Sequence, residues 1–506
     1  MNTYDITKLA TGISVSLVGR VAARGLAILG HIMLARLLGP RQFGLYAIGW
    51  TVLILSGAIV PFGLHNGVIH FISRHQQSDP TGLKSILLQA LGLVLLSGTL
   101  IGGGLYFAAP WIAEHVFQEA DLILVLRWIA LALPLSAGFI VASATIQASQ
   151  RMKFSAYGEV TLSAANLFLI VLLVSLLGWE LFGAVVAIVV SFAIAFGLAL
   201  YYAKYLFPEA FSAPRQWGSL SRELIIFSLP TAFIGTVDLL SIQADRLFIG
   251  YYRSTTEVGI YYSASQSVML FSLIVSVFNT VVAPMIASLY AKREMGQLEE
   301  LFRISTKWGL YLTLPIFLVI CFAPEEIILV LFGSKYASGR LILVILAIGQ
   351  LINIGTGPLD LLLIMTGHQR HCFMIAISML IVNVALNCLL IPLIGLTGAA
   401  LATTGTTILH FLAGLIQTKL SLGLWPYDRR YLKVILATLI VAIVLFLLRI
   451  IVVNFWSPFL TLLLIGTVSI SMFVIVLLML GLNDEDKECL SLAREMLNYV
   501  KIRLAY

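Results

Sequence analysis

Residues 35–46 read Ala35-Arg36-Leu37-Leu38-Gly39-Pro40-Arg41-Gln42-Phe43-Gly44-Leu45-Tyr46, a short basic junction between two apolar runs. The run before it covers 12–36 and the run after it 44–71. Each is long enough to cross a bilayer, which takes about 20 mostly apolar residues. The last four residues of the stretch return further on. Phe43-Gly44-Leu45-Tyr46, entering the second run, is echoed by Val258-Gly259-Ile260-Tyr261, entering a later one at an offset of 215.

Working outward, the pattern fills the chain. Of its 506 residues 60% are hydrophobic and 11% charged, less than half the charge of a soluble domain. That excludes a disordered chain, a nucleic-acid binder and an ordinary cytosolic enzyme. The apolar runs number about fourteen, the first at 12–36 and the last at 458–481, so the expected fold is an all-α polytopic membrane protein with about 14 transmembrane helices. The first run contains Arg20 and Arg24 and lacks a cleavage signal, so it is not read as a signal peptide. An even number of crossings puts both termini on one side. Of the 31 lysines and arginines, 21 fall on that side, seven on the other and three inside spans. Basic residues favour the cytoplasmic side, so a multi-pass protein of the cell membrane with both ends in the cytoplasm is expected. The net charge of +7 is then mainly topology. The four cysteines are scattered and form no disulfide framework.

The echo at 43–46 belongs to a series. Gly183-Ala184 recurs as Gly398-Ala399, again offset by 215, while Asn166 and Gly178 recur as Asn383 and Gly395, offset by 217. The chain is therefore read as two pseudo-symmetric six-helix lobes, at 1–205 and 223–420. A Pro-bearing linker, 206–222, joins them on the cytoplasmic side. Helices 13 and 14 (421–481) and an amphipathic tail (482–506) lie outside the repeat. Repeats of six spans cross in the same sense, so their axis runs along the membrane normal and a substrate path between lobes is expected.

The informative residues are polar ones inside spans. An ionisable group there costs at least ~2.5 kcal/mol on insertion scales and faces a cavity or a partner. Arg20 and Arg24 stand at i and i+4 on one face of span one. Two readings stay open: a packing role answered by backbone carbonyls, or a cationic wall in a wet cavity that holds an anionic headgroup. Span seven carries Asp238, Asp245 and Arg246. The offset sets Asp238 beside Arg24 and Arg246 level with His31, so an Asp238–Arg24 contact is expected, as a clamp or as a gate. Asp245 and Arg246 point to different helix faces and read either as a tie between lobes or as a substrate contact. Arg24, Arg20, Arg246 and Asp238 are thus the candidate lining of the cavity.

Asp360 follows Pro358 in span ten, where a broken helix exposes backbone groups. With Asp238, Asp245 and His31 it is a candidate for ion coupling or gating, by Na+ or H+. His31, His70 and His410 either titrate or pack. Glu159 reads as interfacial, beside Arg151 and Lys153. The amides Asn166, Gln243, Gln266, Asn279, Asn383 and Asn387 either line a hydrated path or hold helices together. No HExxH, GxSxG or Walker sequence is present, so neither a catalytic residue nor a metal ligand nor a cofactor is expected, and the protein is not read as an enzyme.

The residues quoted above also carry a resemblance. Ala35-Arg36-Leu37-Leu38-Gly39-Pro40 with Phe43-Gly44-Leu45-Tyr46, then Asp245-Arg246-Leu247-Phe248-Ile249-Gly250 with Val258-Gly259-Ile260-Tyr261, and the paired Gly-Ala starts make the chain similar to lipid-linked oligosaccharide flippases. These polysaccharide and O-antigen exporters share a superfamily with multidrug and toxin extruders and lipid II flippases. The resemblance implies alternating access and a polyprenyl-diphosphate-linked oligosaccharide moved from the cytoplasmic to the outer leaflet, for surface polysaccharide synthesis. It further implies that span-one arginines meet the diphosphate, a role Arg20 and Arg24 match. Expected partners are that lipid, the surrounding membrane lipids and a glycan polymerase or other biosynthetic protein, with no nucleic acid. Two other functions compete: an ion-coupled drug or cation antiporter of the same fold, and a membrane glycan polymerase or ligase. The drug extruders typically carry an acidic residue in span one, absent here, and the short outer loops leave little space for polymerase chemistry.

Overall fold

The computed structural model describes residues 3–75, 80–149, 151–208, 220–452, 457–481, 483 and 486. Every regular element among them is helical. The chain opens with α1 (Thr3–Ile59), α2 (Leu64–His75), α3 (Pro80–Trp111), α4 (Leu122–Ala148), α5 (Met152–Leu169) and α6 (Glu180–Leu206). After the linker come α7 (Leu220–Tyr252), α8 (Thr255–Ala291), α9 (Met295–Phe322), α10 (Pro324–Leu331), α11 (Arg340–Gly355) and α12 (Leu359–Met365). The last four are α13 (Gln369–Ile394), α14 (Leu396–Leu422), α15 (Tyr431–Val452) and α16 (Pro458–Met479). Most of the expected linker and the tail beyond residue 486 lie outside the described residues, as does the side chain of Asp238.

Among the described residues twelve helical stretches are long and apolar enough to cross a membrane, against about fourteen expected. The difference falls at two places. The first two expected spans form one stretch, Val18–Ile59, and the seventh, in α7, is not among the twelve. The first stretch is not straight. Gly39 (φ 73°, ψ 172°) breaks it. His31 and Trp50, on either side, would be about 28 Å apart along a straight helix, yet their ring centroids lie 5.7 Å apart. The chain folds back at Gly39, and 3–38 and 40–59 are two opposed legs. Nothing approaches within 4 Å of the side chain that Gly39 lacks. Glycine is needed there for its positive φ, not for space. Pro40 opens the second leg, where its missing N–H leaves no bond unmade.

The repeat is visible as matched contacts. A Cβ on Gly44 would fall 1.7 Å from the Thr255 carbonyl oxygen and 3.0 Å from the Gly259 nitrogen. One on Gly259 would fall 2.0 Å from the Pro40 oxygen and 3.1 Å from the Gly44 nitrogen. Residues 40 and 255 differ by the same 215 as 44 and 259, so the two glycines meet across a local pseudo-twofold axis, backbone against backbone. A second match lies within each repeat. Asn166 Nδ2 donates to Ser191 Oγ at 3.4 Å, and Asn383 Nδ2 to Thr406 Oγ1 at 3.1 Å. A third joins Gly183 to Leu173 and Gly398 to Leu390, each pair in close backbone approach.

By contact the chain forms two compact units. One comprises 1–273, 331–346 and 373–406; the other comprises 274–330, 347–372 and 407–506. In the first, α2, α3 and α4 bury Val60, Val68, Ile86, Val94 and Val141 together. Gly98 and Gly102 of α3 let its backbone press onto Pro134 and Ala130 of α4, the small-residue contact by which membrane helices come close. In the second, α9, α15 and α16 share a core of Leu314, Val441, Leu445, Ile465 and Phe473.

Candidate functional site

Arg20 and Arg24 are both exposed, on one face of α1. Their leg packs along α5, most closely at Gly19, where a Cβ would come within 2.6 Å of Ala156 Cβ. That crossing puts Glu159, one turn beyond Ala156, within electrostatic reach of both guanidinium groups. To the sequence reading of Glu159 as interfacial beside Arg151 and Lys153 the fold adds the two arginines of span one. One carboxylate faces two arginines, which leaves this face of span one with an excess of positive charge. The expected Asp238–Arg24 contact falls on a side chain outside the described residues.

Deeper along α1 the character reverses, and the chain is sealed. His31 is 8% exposed and sits among the rings of Tyr46, Trp50 and Tyr262. The Tyr262 hydroxyl lies 3.2 Å from His31 Nε2, and the Arg246 guanidinium carbon stands 4.5 Å over the centre of the Tyr262 ring, in cation–π contact. Arg246 also donates to Gln243 Oε1. Asp245 turns the other way. It accepts from the backbone N–H of Arg246 at 2.8 Å, from the Tyr261 hydroxyl and from Thr403 Oγ1 at 3.4 Å. Arg246 is 7% exposed and Asp245 3%; in this state neither is presented to a solvent-borne ligand as Arg20 and Arg24 are.

The seal continues past the glycine crossing. Glu119 accepts from Arg41 at 2.9 Å and from Thr255 Oγ1 at 2.9 Å. The Tyr336 hydroxyl donates to the Ala35 carbonyl at 2.7 Å, and Arg36 Nε donates to the Leu331 carbonyl at 2.8 Å. Phe117 packs on Gly250. The motif residues 35–46 and 245–261 therefore build one closed junction, and Tyr262, Trp50 and Thr403 are members of it that sequence reading did not single out. Tyr261 closes the echoed motif and Tyr262 follows it directly, which was the available signal. Asn383 and Asn387 are 1% and 0% exposed; Asn383 ties α13 to Thr406 of α14, and Asn387 donates back to Asn383.

Asp360 belongs to the second unit. The chain breaks at Thr356-Gly357-Pro358, and Asp360 lies in the first turn of the seven-residue α12. Both its carboxylate oxygens face His410 Nε2, at 3.1 and 3.2 Å, and Cys372 Sγ lies 3.6 Å from Oδ1. The same carboxylate borders a cavity of about 210 Å³ walled by Phe278, Asn279, Ser305, Asn353 and Phe411. Among the described residues no group of three or more His, Cys, Asp or Glu is arranged to hold a metal ion.

Comparison with known proteins places this architecture. A capsular polysaccharide biosynthesis protein, CapF of Staphylococcus aureus, is 25% identical over 36% of this chain, a match that spans 46% of its own length. The probable low-salt glycan biosynthesis flippase Agl15 of Haloferax volcanii is 24% identical over 79% of this chain and 83% of its own. The solved structure of a lipid II flippase, MurJ, in an inward closed conformation superposes with a TM-score of 0.72 at 14% identity, covering 91% of this chain and 97% of that one. That likeness fixes the fold, a multi-pass helical membrane architecture. A family model described as "Polysaccharide biosynthesis protein" matches residues 33–339, more than half of the chain and the whole stretch from the Ala35 motif through the Gly259 echo. The chain belongs to that polysaccharide biosynthesis family.

Proposed function

We propose that this protein is a flippase that carries a polyprenyl-diphosphate-linked oligosaccharide from the cytoplasmic to the outer leaflet of the cell membrane. The observation that carries the reading is the exposed Arg20–Arg24 pair on one face of span one, in a chain of the polysaccharide biosynthesis family. Two guanidinium groups set against one carboxylate, Glu159, leave positive charge for an anion. Guanidinium suits phosphate because its planar fork gives paired, charge-assisted hydrogen bonds. The sugars share the wet side of the path and the prenyl tail stays in lipid. Both termini face the cytoplasm in this reading, on the 21-to-7 bias of basic residues.

Alternating access gives the sealed junction its role. Release on the far side requires α1 and α8 to part where Gly44 meets Gly259, with the Tyr262–His31 hydrogen bond broken. The machinery is that of a transporter, not a catalyst. The product is consumed by glycan-assembling enzymes outside.

In proteoliposomes, the double variant Arg20→Ala/Arg24→Ala is expected to bind undecaprenyl-diphosphate oligosaccharide about tenfold or more weakly. Hydrogen bonds to charged groups contribute about 1.5–3 kcal/mol, and 1.4 kcal/mol is tenfold. Normal binding and flipping by that variant, inserted at wild-type level, would remove the arginines from the mechanism. Efflux of cationic dyes by the same vesicles, with indifference to the lipid, would replace this reading by a drug antiporter.

A further inference from the structure

We propose that Asp360 and His410 form the site that binds the proton driving transport. The inference rests on the transport reading above and adds to it the identity of the coupling ion and of its carrier.

Access comes first. Of the described intramembrane carboxylates raised by the sequence, Asp245 is 3% exposed and closed in by Tyr261, Thr403 and the Arg246 N–H. The Asp360 side chain is 43% exposed and borders the cavity with Asn279, Ser305 and Asn353. Water in a cavity lined by two amides and a hydroxyl can deliver a proton to Asp360, whereas Asp245 offers no such route.

The chemistry of the neighbours then selects the ion. A bound metal cation takes several oxygen ligands arranged around it. The groups turned toward Asp360 are donors instead: the ring N–H of His410 facing both oxygens, and the thiol of Cys372. A carboxylate faced by an N–H and an S–H stands among donors rather than cation ligands, and the imidazole beside it can share a proton with it. Histidine is the side chain that changes charge between about pH 5 and 8, and Asp–His chains are the usual proton relays of transporters. The step balances simply. A proton from cavity water joins the Asp360–His410 pair and later leaves to water, with no electron transferred.

The helices around Asp360 turn these groups toward it. From α14 comes His410 and from α13 Cys372. The cavity walls from α8, α9 and α11 present Asn279, Ser305 and Asn353. The basic residues of α9 are engaged elsewhere, Arg303 with Glu299 and the Trp425 carbonyl and Lys307 with Asp486.

A purely structural tie between α12 and α14 makes a different prediction, and Asp360→Asn separates the two. The amide keeps an oxygen that accepts from His410, so the tie survives, but the proton site is gone. Infrared difference spectra of the purified full-length protein between pH 5 and pH 8 are expected to show a carboxyl change. Asp360→Asn should lose it, His410→Gln should alter it, and sodium at constant pH should not produce it. In proteoliposomes carrying undecaprenyl-diphosphate oligosaccharide and an internal pH dye, Asp360→Asn should fold and bind the lipid normally but lose proton uptake coupled to flipping. A carboxyl change that survives in Asp360→Asn, or one driven by sodium, overturns the proposal. So does unaltered proton-coupled flipping by that variant. The spectra need no lipid substrate, so the two readings fail separately. A titrating pair without flipping sinks the flippase reading alone, and flipping without the pair sinks this one alone.

Discussion

Gly44→Ala and Gly259→Ala are each expected to abolish glycan export and to lower the unfolding midpoint of the detergent-solubilised protein by several degrees. A methyl group at 44 would stand 1.7 Å from the Thr255 oxygen, and one at 259 would stand 2.0 Å from the Pro40 oxygen. Overpacking usually costs about 1–3 kcal/mol, because side chains shift to relieve it. Here the obstacle is backbone on both sides, so two helices must separate and the cost lies at or above about 3 kcal/mol. Separation also loosens the ring stack around His31, where Tyr262 of α8 meets α1. Gly103→Ala is the control. It lies in the membrane helix α3, and nothing stands within 4 Å of its missing side chain, so alanine there should raise helix propensity and leave export intact. Wild-type stability and export in both Gly44→Ala and Gly259→Ala would show that the two backbones do not meet.

That crossing also shows what kind of information the sequence held. The offset of 215 came from a four-residue echo, and the two glycines that it pairs are ones that touch in the structure. Pseudo-symmetry made this possible, because equivalent positions on an axis are the ones that meet. The same logic set Arg246 level with His31, and the structure brings both to Tyr262. It likewise linked Asn166 to Asn383, whose hydrogen bonds to Ser191 and Thr406 are counterparts.

Sequence reading ran out where polar partners come from unrelated positions. His410 was legible as a titratable residue and Asp360 as a carboxylate after a helix break, but nothing in hydrophobic periodicity joins residues 50 apart on α12 and α14. Glu159 was assigned to its neighbours in sequence, Arg151 and Lys153, because helix packing at Gly19 and Ala156 cannot be seen without the fold. The number of crossings was blurred for a local reason. Gly39 and Pro40 compress the turn between the first two spans so far that the second leg starts directly where the first ends. Lys307 was counted as one more cytoplasmic loop charge, yet its side chain is 1% exposed.

That lysine leads to the other large expected effect. Lys307 Nζ lies 2.7 Å from Asp486 Oδ1, with the two side chains 1% and 2% exposed, and the lysine also stands 5.8 Å from the Tyr311 ring centre. Removing one partner of a buried ion pair leaves the other charged and dry, at a cost of about 3–5 kcal/mol. Lys307→Met should therefore lower the unfolding midpoint sharply, and Asp486→Leu should do so by a similar amount. The double variant should recover most of the loss, since replacing a whole buried pair by apolar groups is often neutral. Non-additivity in that direction is the signature of a desolvated pair. Arg41→Ala is the contrast. Its contacts with Glu119 and Asp121 leave the arginine side chain 59% exposed, and water takes their place, so its midpoint should not move measurably. The neighbouring cation Lys433 donates to the Gly481 carbonyl at 2.8 Å and to Asn483 Oδ1 at 2.7 Å. The start of the tail is thereby held at two points, of which only the Lys307 point is a fully buried ion pair. If Lys307→Met melts like wild type, or if the double variant is less stable than either single one, the pair is not buried and the tail is held by Lys433 alone.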